Sequence, residues 1–319
     1  MPRPRQPPLR LVRLEAAIVA GVLSSLRYLL ADFIGDDDDA PPFLPDGLPD
    51  GAAPVVSEGI HRLIEYQGPS YAKLYVDRLR RFVGRRGVDD AMLVEIAQLM
   101  AMRMSHEDPI RIAQLKLAEL EMAPGGPHVQ HADNVCKFRL DELTGALPAV
   151  IAEPILDALE WVGWVHKPIS IRFSTKSRWG IRRLKIEASL RRWRLFSVRY
   201  AKERVWVEHW LHMIDRSLTK QPKAASAIVQ TATMVQGYGD AYRQGLADWH
   251  AIIDGLAKPA FDGVLPLPDL AAAVAEARAA VTPDPQQAAL KRTIAEIRAR
   301  VQFESQQPVV PAKAGTHNL

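Results

Sequence analysis

The sequence predicts a mainly α fold, an irregular multi-helix bundle with a short strand or two near residues 135–140 and 168–186. Apolar residues recur every three to four positions over most of the chain, as on the buried face of an amphipathic helix. Breaks that contain proline, glycine or aspartate separate these stretches. At 48% hydrophobic residues, the 319-residue chain has enough apolar side chains for a core and is not disordered as a whole.

Residues 1–56 are predicted to form one helix, Leu11 to Phe33, followed by a loop rich in proline and aspartate. Arg27 and Asp32 interrupt the apolar run of this helix. The run is therefore shorter than the roughly 20 apolar residues that a membrane span needs. Because arginines precede it, a signal peptide is an alternative interpretation. We expect a cytoplasmic protein with no membrane partner.

A helical domain is predicted over residues 57–260. Its first buried faces are marked by apolar residues at helical spacing: Ile60, Leu63, Ile64, Tyr71, Leu74, Tyr75, Leu79, Phe82, Leu93, Ile96 and Met100. A linker and carboxy-terminal helices are expected over residues 261–304. Residues 305–319 are polar and contain prolines, which predicts a disordered tail.

Sequence motifs that carry chemistry are scarce. The chain has one cysteine, Cys136, so it cannot form an internal disulfide or hold an iron–sulfur cluster on several of its own cysteines. It contains no phosphate-binding glycine loop and no CxxC or HExxH pattern. His106, Glu107 and Asp108 lie on a predicted turn, where adjacent side chains point in different directions. This placement favours an ordinary turn over a metal or acid–base site.

The stretch between Lys167 and Arg204 is strongly basic and includes Arg191, Arg192 and Arg199. Tryptophans are interleaved with these cations, as in surfaces that neutralise phosphates and stack bases. Two other interpretations stay open. The arginines could pair with acids in a larger assembly, or they could be solvated on a helix surface.

Residues 197–249 are predicted to hold three helices, with a polar break before Pro222 and a corner at Gly237-Tyr238-Gly239-Asp240. The first of these helices has an apolar face with five members: Tyr200, Val207, Trp210, Leu211 and Ile214. Glycines permit backbone geometry at the corner that most residues resist. One interpretation is a structural brace. The other is a docking corner that displays five side chains: Tyr238, Asp240, Tyr242, Arg243 and Trp249.

Five stretches, taken in order, resemble one family. They are RLIEYQGPSYAKLYVDRL (62–79), MSHEDPIRIAQLKL (104–117), FRLDELTGALP (138–148), IRFSTKSRWGIRRLKI (171–186) and VQGYGDAYRQGL (235–246). Together they resemble the carboxy-terminal region of the indolepyruvate ferredoxin oxidoreductase beta subunit, within the 2-oxoacid:ferredoxin oxidoreductases. Members typically begin with a gamma-type α/β domain, which we expect this chain to lack.

The resemblance implies a complex that oxidatively decarboxylates an aryl pyruvate to an acyl-coenzyme A and reduces ferredoxin. Thiamine diphosphate and iron–sulfur clusters are then expected on the partner alpha subunit. No cofactor, metal or catalytic residue is expected on this chain. It would be a non-catalytic accessory region of a heteromer, bound to an indolepyruvate oxidoreductase alpha-type subunit and only indirectly to ferredoxin. The candidate partner contacts are Arg191, Arg192, Arg199, Tyr238, Asp240 and Arg243.

Two alternatives remain. The chain could be a stand-alone basic helical protein that binds nucleic acid, although it contains no recognised nucleic-acid motif. It could also be an inactive truncated pseudo-subunit, which would fold but have neither partner nor activity.

Overall fold

A computed structural model describes residues 42–106, 108–122, 134–145, 149–164, 167–173, 178–189, 194, 197–237 and 239–306. Over these ranges the chain is mainly α-helical, as predicted, with one two-stranded antiparallel sheet. The predicted amino-terminal helix and the predicted contacts Arg191, Arg192 and Tyr238 lie outside the described residues. Within the described ranges, none of the helices combines the length and apolarity required to cross a bilayer.

Three helices open the described chain: α1 (Ala53–Tyr66), α2 (Pro69–Arg80) and α3 (Asp90–Met104). Between α1 and α2, Gly68 has a φ of 150°, a geometry open mainly to glycine. Pro69 then supplies the fixed φ that suits a first helical residue. Asp89 caps α3, because its carboxylate accepts a hydrogen bond from the Met92 amide at 2.8 Å.

A second group of elements, here called the appendage (residues 109–189), follows: α4 (Pro109–Met122), β1 (Asn134–Arg139), α5 (Leu140–Gly145), α6 (Ala149–Trp161), β2 (Pro168–Phe173) and α7 (Arg178–Ser189). The strands pair with Cys136 opposite Ile171. Both strands lie where the sequence predicts them, with β1 shifted by one residue from the expected 135–140. Residues 178–186, where a strand was also expected, instead begin a helix. The reason is that Leu184 and Ala188, four residues apart, pack against Ala113 of α4.

The longest described helix, α8 (Val198–Lys220), organises the carboxy-terminal half. After it come α9 (Ala225–Gln230), α10 (Gly239–Ile252), α11 (Lys258–Phe261), α12 (Leu270–Ala279) and α13 (Ala288–Gln306). A π-helical turn, Ile253–Ala257, joins α10 to α11. As predicted, α8 ends at the polar break before Pro222. Its predicted apolar face is buried: Tyr200, Val207, Trp210, Leu211 and Ile214.

One hydrophobic core joins α1–α3 to α8–α13. Near its centre, Trp206 and Trp210 stack with ring centroids 6.2 Å apart, and Trp249 meets Trp206 edge-on at 5.4 Å. Val274 of α12 and Ile294 of α13 belong to this core as well. The carboxy-terminal helices predicted within residues 261–304 therefore share a core with the helical domain.

A set of ion pairs, here called the α2–α8 ladder, connects two of the core helices. Glu208 of α8 accepts hydrogen bonds from Arg78 at 2.8 Å and from Arg81 at 3.3 Å. Two turns further along α8, Asp215 accepts from Arg81 at 2.8 Å and also from Arg85. The ladder thus connects α8 to α2 and to the turn that follows α2. The two contact points on α8 are seven residues apart.

Candidate functional site

Separate stretches of sequence converge on one buried polar cluster. Tyr66 ends α1, Tyr71 lies in the first turn of α2, and Tyr200 lies in α8. His106 and Asp108 occupy the turn between α3 and α4, with both side chains buried. The ring centroids of Tyr66 and His106 are 5.7 Å apart, as are those of Tyr71 and Tyr200.

Arg194 provides the charge at the centre of this cluster and is only 1% exposed. It donates to both carboxylate oxygens of Asp108, from Nε at 2.5 Å and from Nη2 at 3.0 Å. Its Nη1 donates to the Tyr66 carbonyl at 2.7 Å, and the guanidinium lies 3.9 Å from the Tyr66 ring centroid. A two-point arginine–carboxylate contact is among the strongest hydrogen-bonded pairs in proteins.

His106 is held in its neutral form inside the cluster. Burial, with the positive charges of Arg199, Arg194 and Arg103, lowers the pKa of His106 well below its usual value. Its Nδ1 lies 3.2 Å from the Tyr66 hydroxyl. Burial also raises the pKa of Tyr66 well above its ordinary value, so the phenol stays protonated. The cluster is therefore neutral apart from the Arg194–Asp108 pair.

The expectation that His106 and Asp108 point in different directions is wrong. His106 Nε2 lies 4.0 Å from Asp108 Oδ2, and both side chains face the same interior. Their partners Tyr66 and Arg194 are distant in sequence, so no local pattern could reveal the arrangement. Since these groups are buried, a substrate has no direct access to them, and the cluster stabilises the meeting point of α1, α2 and α8. Among the described residues, no three histidine, cysteine, aspartate or glutamate side chains are placed to hold a metal ion.

A second buried ion pair holds the segment that leads into the glycine corner. Arg103 of α3 pairs with Glu203 of α8 at 2.6 Å. The same guanidinium donates to the Val235 carbonyl and lies 4.8 Å from the Trp206 ring centroid. This contact fixes the chain just before Gly237, whose φ of 71° favours glycine.

Three of the predicted partner contacts meet at this corner. Arg199, in the first turn of α8, donates to the Gly237 carbonyl at 3.3 Å. Arg243 of α10 pairs with Asp240 one turn earlier at 2.6 Å and lies 3.7 Å from Asp141 of α5. The structure therefore brings Arg199, Asp240 and Arg243 together on one side of the molecule.

A pocket of about 180 Å³ opens at the corner, between α5, α6, α8 and α10. This corner pocket is lined by Asp141, Gly145, Leu156, Val198, Arg199, Lys202, Tyr242 and Arg243. The Arg199 guanidinium lies 4.7 Å from the Tyr242 ring centroid. Burial, with the nearby Glu203 carboxylate, raises the pKa of Tyr242, so its hydroxyl remains protonated. Sequence reasoning missed Asp141, which is far from the glycine corner in sequence, and it did not single out Lys202 within the basic stretch.

The chemistry of the corner pocket suits binding more than proton transfer. Arginine keeps its proton at neutral pH and acts only as a donor. Three cationic side chains, Arg199, Lys202 and Arg243, line the pocket with one carboxylate, Asp141. Such a lining can receive an acidic side chain.

The docking-corner interpretation is wrong for Trp249, which it placed on display. Its side chain is fully buried, and its Nε1 donates to Thr231 Oγ1 at 3.0 Å. Tyr242 and Trp249 are seven residues apart and share one stripe of α10. The helix runs from the surface corner into the core, so the stripe begins at the pocket and ends buried. Helical spacing predicts which residues share the stripe, but not which of them are buried.

Exposed tryptophans mark a different surface, on the appendage. Trp161 at the end of α6 is 91% exposed, and Trp179 near the start of α7 is 79% exposed. Basic residues on α7 flank Trp179, including Arg182 and Arg183, and both are exposed. These aromatic side chains lie outside the glycine corner that the sequence singled out.

Comparison with protein families places most of the helical domain in a family. The model of a family of unknown function, DUF6537, matches residues 52–255. No curated protein and no solved structure matches the chain. The matched residues include α1–α10 and with them the buried cluster, the corner pocket and the appendage. Since they make up more than half of the sequence, the chain belongs to this family of unknown function, DUF6537.

Proposed function

We propose that this chain is a non-catalytic accessory part of an aryl-pyruvate ferredoxin oxidoreductase complex in the cytoplasm. In this proposal it binds an indolepyruvate oxidoreductase alpha-type subunit. That subunit carries the thiamine diphosphate and the iron–sulfur clusters, and ferredoxin is reached only through it. The corner pocket is the proposed point of contact.

The observation that carries the proposal is that the motifs behind the resemblance touch one another. Tyr66, from the first motif, lies against His106 from the second. Asp141, from the third motif, lies 3.7 Å from Arg243 of the last. These motifs therefore pack together in one structural unit, as the proposed accessory region requires.

The corner pocket supports the choice of contact surface. Arg199 and Arg243 reach it from different helices, and each is held by a neighbouring group before any partner arrives. Side chains that are already ordered lose less conformational entropy on binding. We propose that the partner inserts an acidic side chain between Arg199, Lys202 and Arg243.

Co-purification tests the proposal. The tagged chain is co-expressed with an alpha-type subunit from the same genome that carries cysteine runs and a thiamine-binding pattern. We expect a stable complex that reduces ferredoxin when supplied with an aryl pyruvate. The double variant Arg199→Glu/Arg243→Glu should recover at least about tenfold less partner, because the charge of the pocket reverses.

The control is Arg298→Glu, a charge reversal at an exposed position of α13 far along the chain from the corner. It should leave co-purification unchanged. A further variant, Arg191→Glu/Arg192→Glu, tests the remaining predicted basic contacts. Association unaffected by both double variants would contradict the proposed surface, and oxoacid turnover by the isolated chain would contradict a non-catalytic role. A pseudo-subunit would recover no partner at all.

A further inference from the structure

The outer face of α6 is acidic and carries an exposed tryptophan. Trp161, Asp157 and Pro154 recur at helical spacing along this face, and all three are exposed. Ala152, on the opposite side of the helix, is fully buried. Between Ala149 and Trp161 the helix contains three acids, Glu153, Asp157 and Glu160, and no basic residue.

The outer face of α7 has the opposite charge. Trp179, Arg182, Arg183 and Ile186 follow the i, i+3, i+4, i+7 spacing of a single helix face, and all four are exposed. Leu184, on the inner side, is buried against α4. Between Arg178 and Ser189, α7 has four basic residues and one acid.

Scattered apolar side chains are ordinary on a protein surface, but neighbouring ones rimmed by charge mark interaction sites. Of all side chains, tryptophan and arginine contribute most often to the strongest contacts of protein interfaces. Each tryptophan has a further exposed apolar side chain beside it, Val162 directly after α6 and Ile186 on the same face of α7. The two faces are therefore matched in apolar character and opposite in charge.

We propose that these two faces bind each other between two copies of the chain, α6 of one copy against α7 of the other, about a twofold axis. A twofold dimer makes every contact twice, so this symmetry requires both faces on the same side of the chain, where α6 and α7 of one copy meet α7 and α6 of the other. Four tryptophans, each able to bury about 150–250 Å², would supply roughly 600–1,000 Å² of the interface. Stable interfaces bury about 1,200–2,000 Å² in total, and the apolar side chains around the tryptophans extend the area toward that range.

Charge selects a second copy over other occupants. A nucleic acid would be attracted by α7 but would leave the three acids of α6 without a complement. An acidic protein would also complement α7 alone, whereas a second copy offers each face its complement. This inference is independent of the proposed oxidoreductase partnership, whose contacts lie at the corner pocket.

A charge-swap experiment on the full chain tests the dimer. One variant reverses α6 (Asp157→Lys/Glu160→Lys), and another reverses α7 (Arg182→Glu/Arg183→Glu). Mass is measured by light scattering on a sizing column over a range of concentrations. We expect a wild-type dimer, and a dissociation constant raised about 100-fold or more in each variant, because like charges would face each other.

Mixing the two variants provides the decisive arm. In a mixed pair, the reversed α6 of one chain meets the reversed α7 of the other, and the unreversed faces also match. We therefore expect a heterodimer from the mixture, and a homodimer from a chain that carries all four reversals. These rescues also show that each reversed variant is folded. Arg298→Glu, a charge reversal on α13 and on neither of the two helices, should dimerise like wild type.

Four results would overturn the inference. One is a wild-type chain that stays monomeric at about 100 µM, well above the micromolar range that interfaces of this area reach. Another is a dimer that both reversed variants retain. The third is failure of the mixture to associate when each variant has the wild-type circular dichroism spectrum. The fourth is competition by single-stranded DNA. If DNA binds the wild type through Arg182 and Arg183 and displaces the second copy, α7 is a nucleic-acid surface and the dimer inference fails.

Discussion

At the scale of single residues, the pair Arg194–Asp108 is the most consequential contact of the buried cluster. It connects the turn before α4 to a residue that precedes α8, and it also holds the end of α1 through the Tyr66 carbonyl. Removing one partner of a buried pair is costly, because the other charge stays in an environment that cannot solvate it. The stability of this region therefore depends on keeping the pair intact.

We expect Asp108→Ala to lower the free energy of unfolding by about 3–5 kcal/mol, since Arg194 would lose its buried counter-charge. Urea unfolding at pH 7 measures the change. Glu276→Ala is the control: its pair with Arg300 is 2.6 Å long but roughly half exposed, and exposed pairs contribute about 0–1 kcal/mol. Equal losses in the two variants would show that Arg194 finds another partner.

His209 of α8 adds a dependence on pH. Its ring lies edge-on to Trp249 at 5.0 Å, and its Nε2 is buried with no hydrogen-bond partner among the described residues. Burial, together with the charge of Lys258, lowers the pKa of His209 to about 4, compared with about 6.5 in an unfolded chain. The unfolded chain therefore takes up this proton first. The stability contributed by neutral His209 is complete above about pH 6.5 and is lost as the pH falls toward 4.

We expect His209→Gln to flatten the fall in stability between about pH 6.5 and pH 4, because one of the groups that resists protonation is removed. The urea midpoint, followed across this range, measures the slope. His61→Gln, at an exposed position of α1, is the matched substitution and should keep the wild-type slope. Parallel curves for wild type and His209→Gln would contradict the assignment.

At the scale of elements, the ends of the helices were largely predictable from the sequence. How deeply each helix face is buried was not. The break before Pro222 and the apolar face of α8 follow from local sequence, so both predictions are confirmed. The burial of Trp249 and the inward turn of His106 and Asp108 depend on residues far away in sequence. Local periodicity carries no signal for such contacts, which is why the buried cluster was not anticipated.

Close packing of α10 gives an element-scale prediction. A side chain at Gly245 would overlap the Met234 carbonyl oxygen, so α10 can approach the preceding segment only with glycine there. We expect Gly245→Ala to lower the free energy of unfolding by about 1–3 kcal/mol or more, as overpacked sites do. Thermal or urea unfolding checks this. Gly51→Ala, which has open space around the new methyl group, should stay within about 0.5 kcal/mol of wild type; an equally mild Gly245→Ala would mean that α10 can shift.

At the scale of the whole molecule, residues of the basic stretch have different environments. Arg194 and Arg204 are buried near Tyr66 and Tyr200, whereas Arg182 and Arg183 lie on the outside of α7. The composition of the sequence does not distinguish the buried arginines from the exposed ones. Net charge describes long-range attraction and not which cations reach solvent, so the sequence predicted the basic stretch but not its division.

The tryptophans of the described chain also divide into two sets. Trp206, Trp210 and Trp249 are buried, whereas Trp161, Trp164 and Trp179 are exposed. In dilute protein we expect acrylamide to quench only part of the tryptophan fluorescence. Trp161→Phe/Trp179→Phe should remove much of the quenchable part, while Trp210→Phe should not. A quenchable fraction unchanged in the double variant would contradict the exposed placement of α6 and α7.

The α2–α8 ladder has a mechanical consequence. Two helices in apolar contact can slide past each other by one turn, about 5.4 Å, and still bury apolar surface. Here such a slip would pull Glu208 away from Arg78 and leave a desolvated charge stranded between the helices. The ladder therefore favours one alignment of the two helices, and a shift of α8 along its axis would have to carry α2 with it or break these ion pairs.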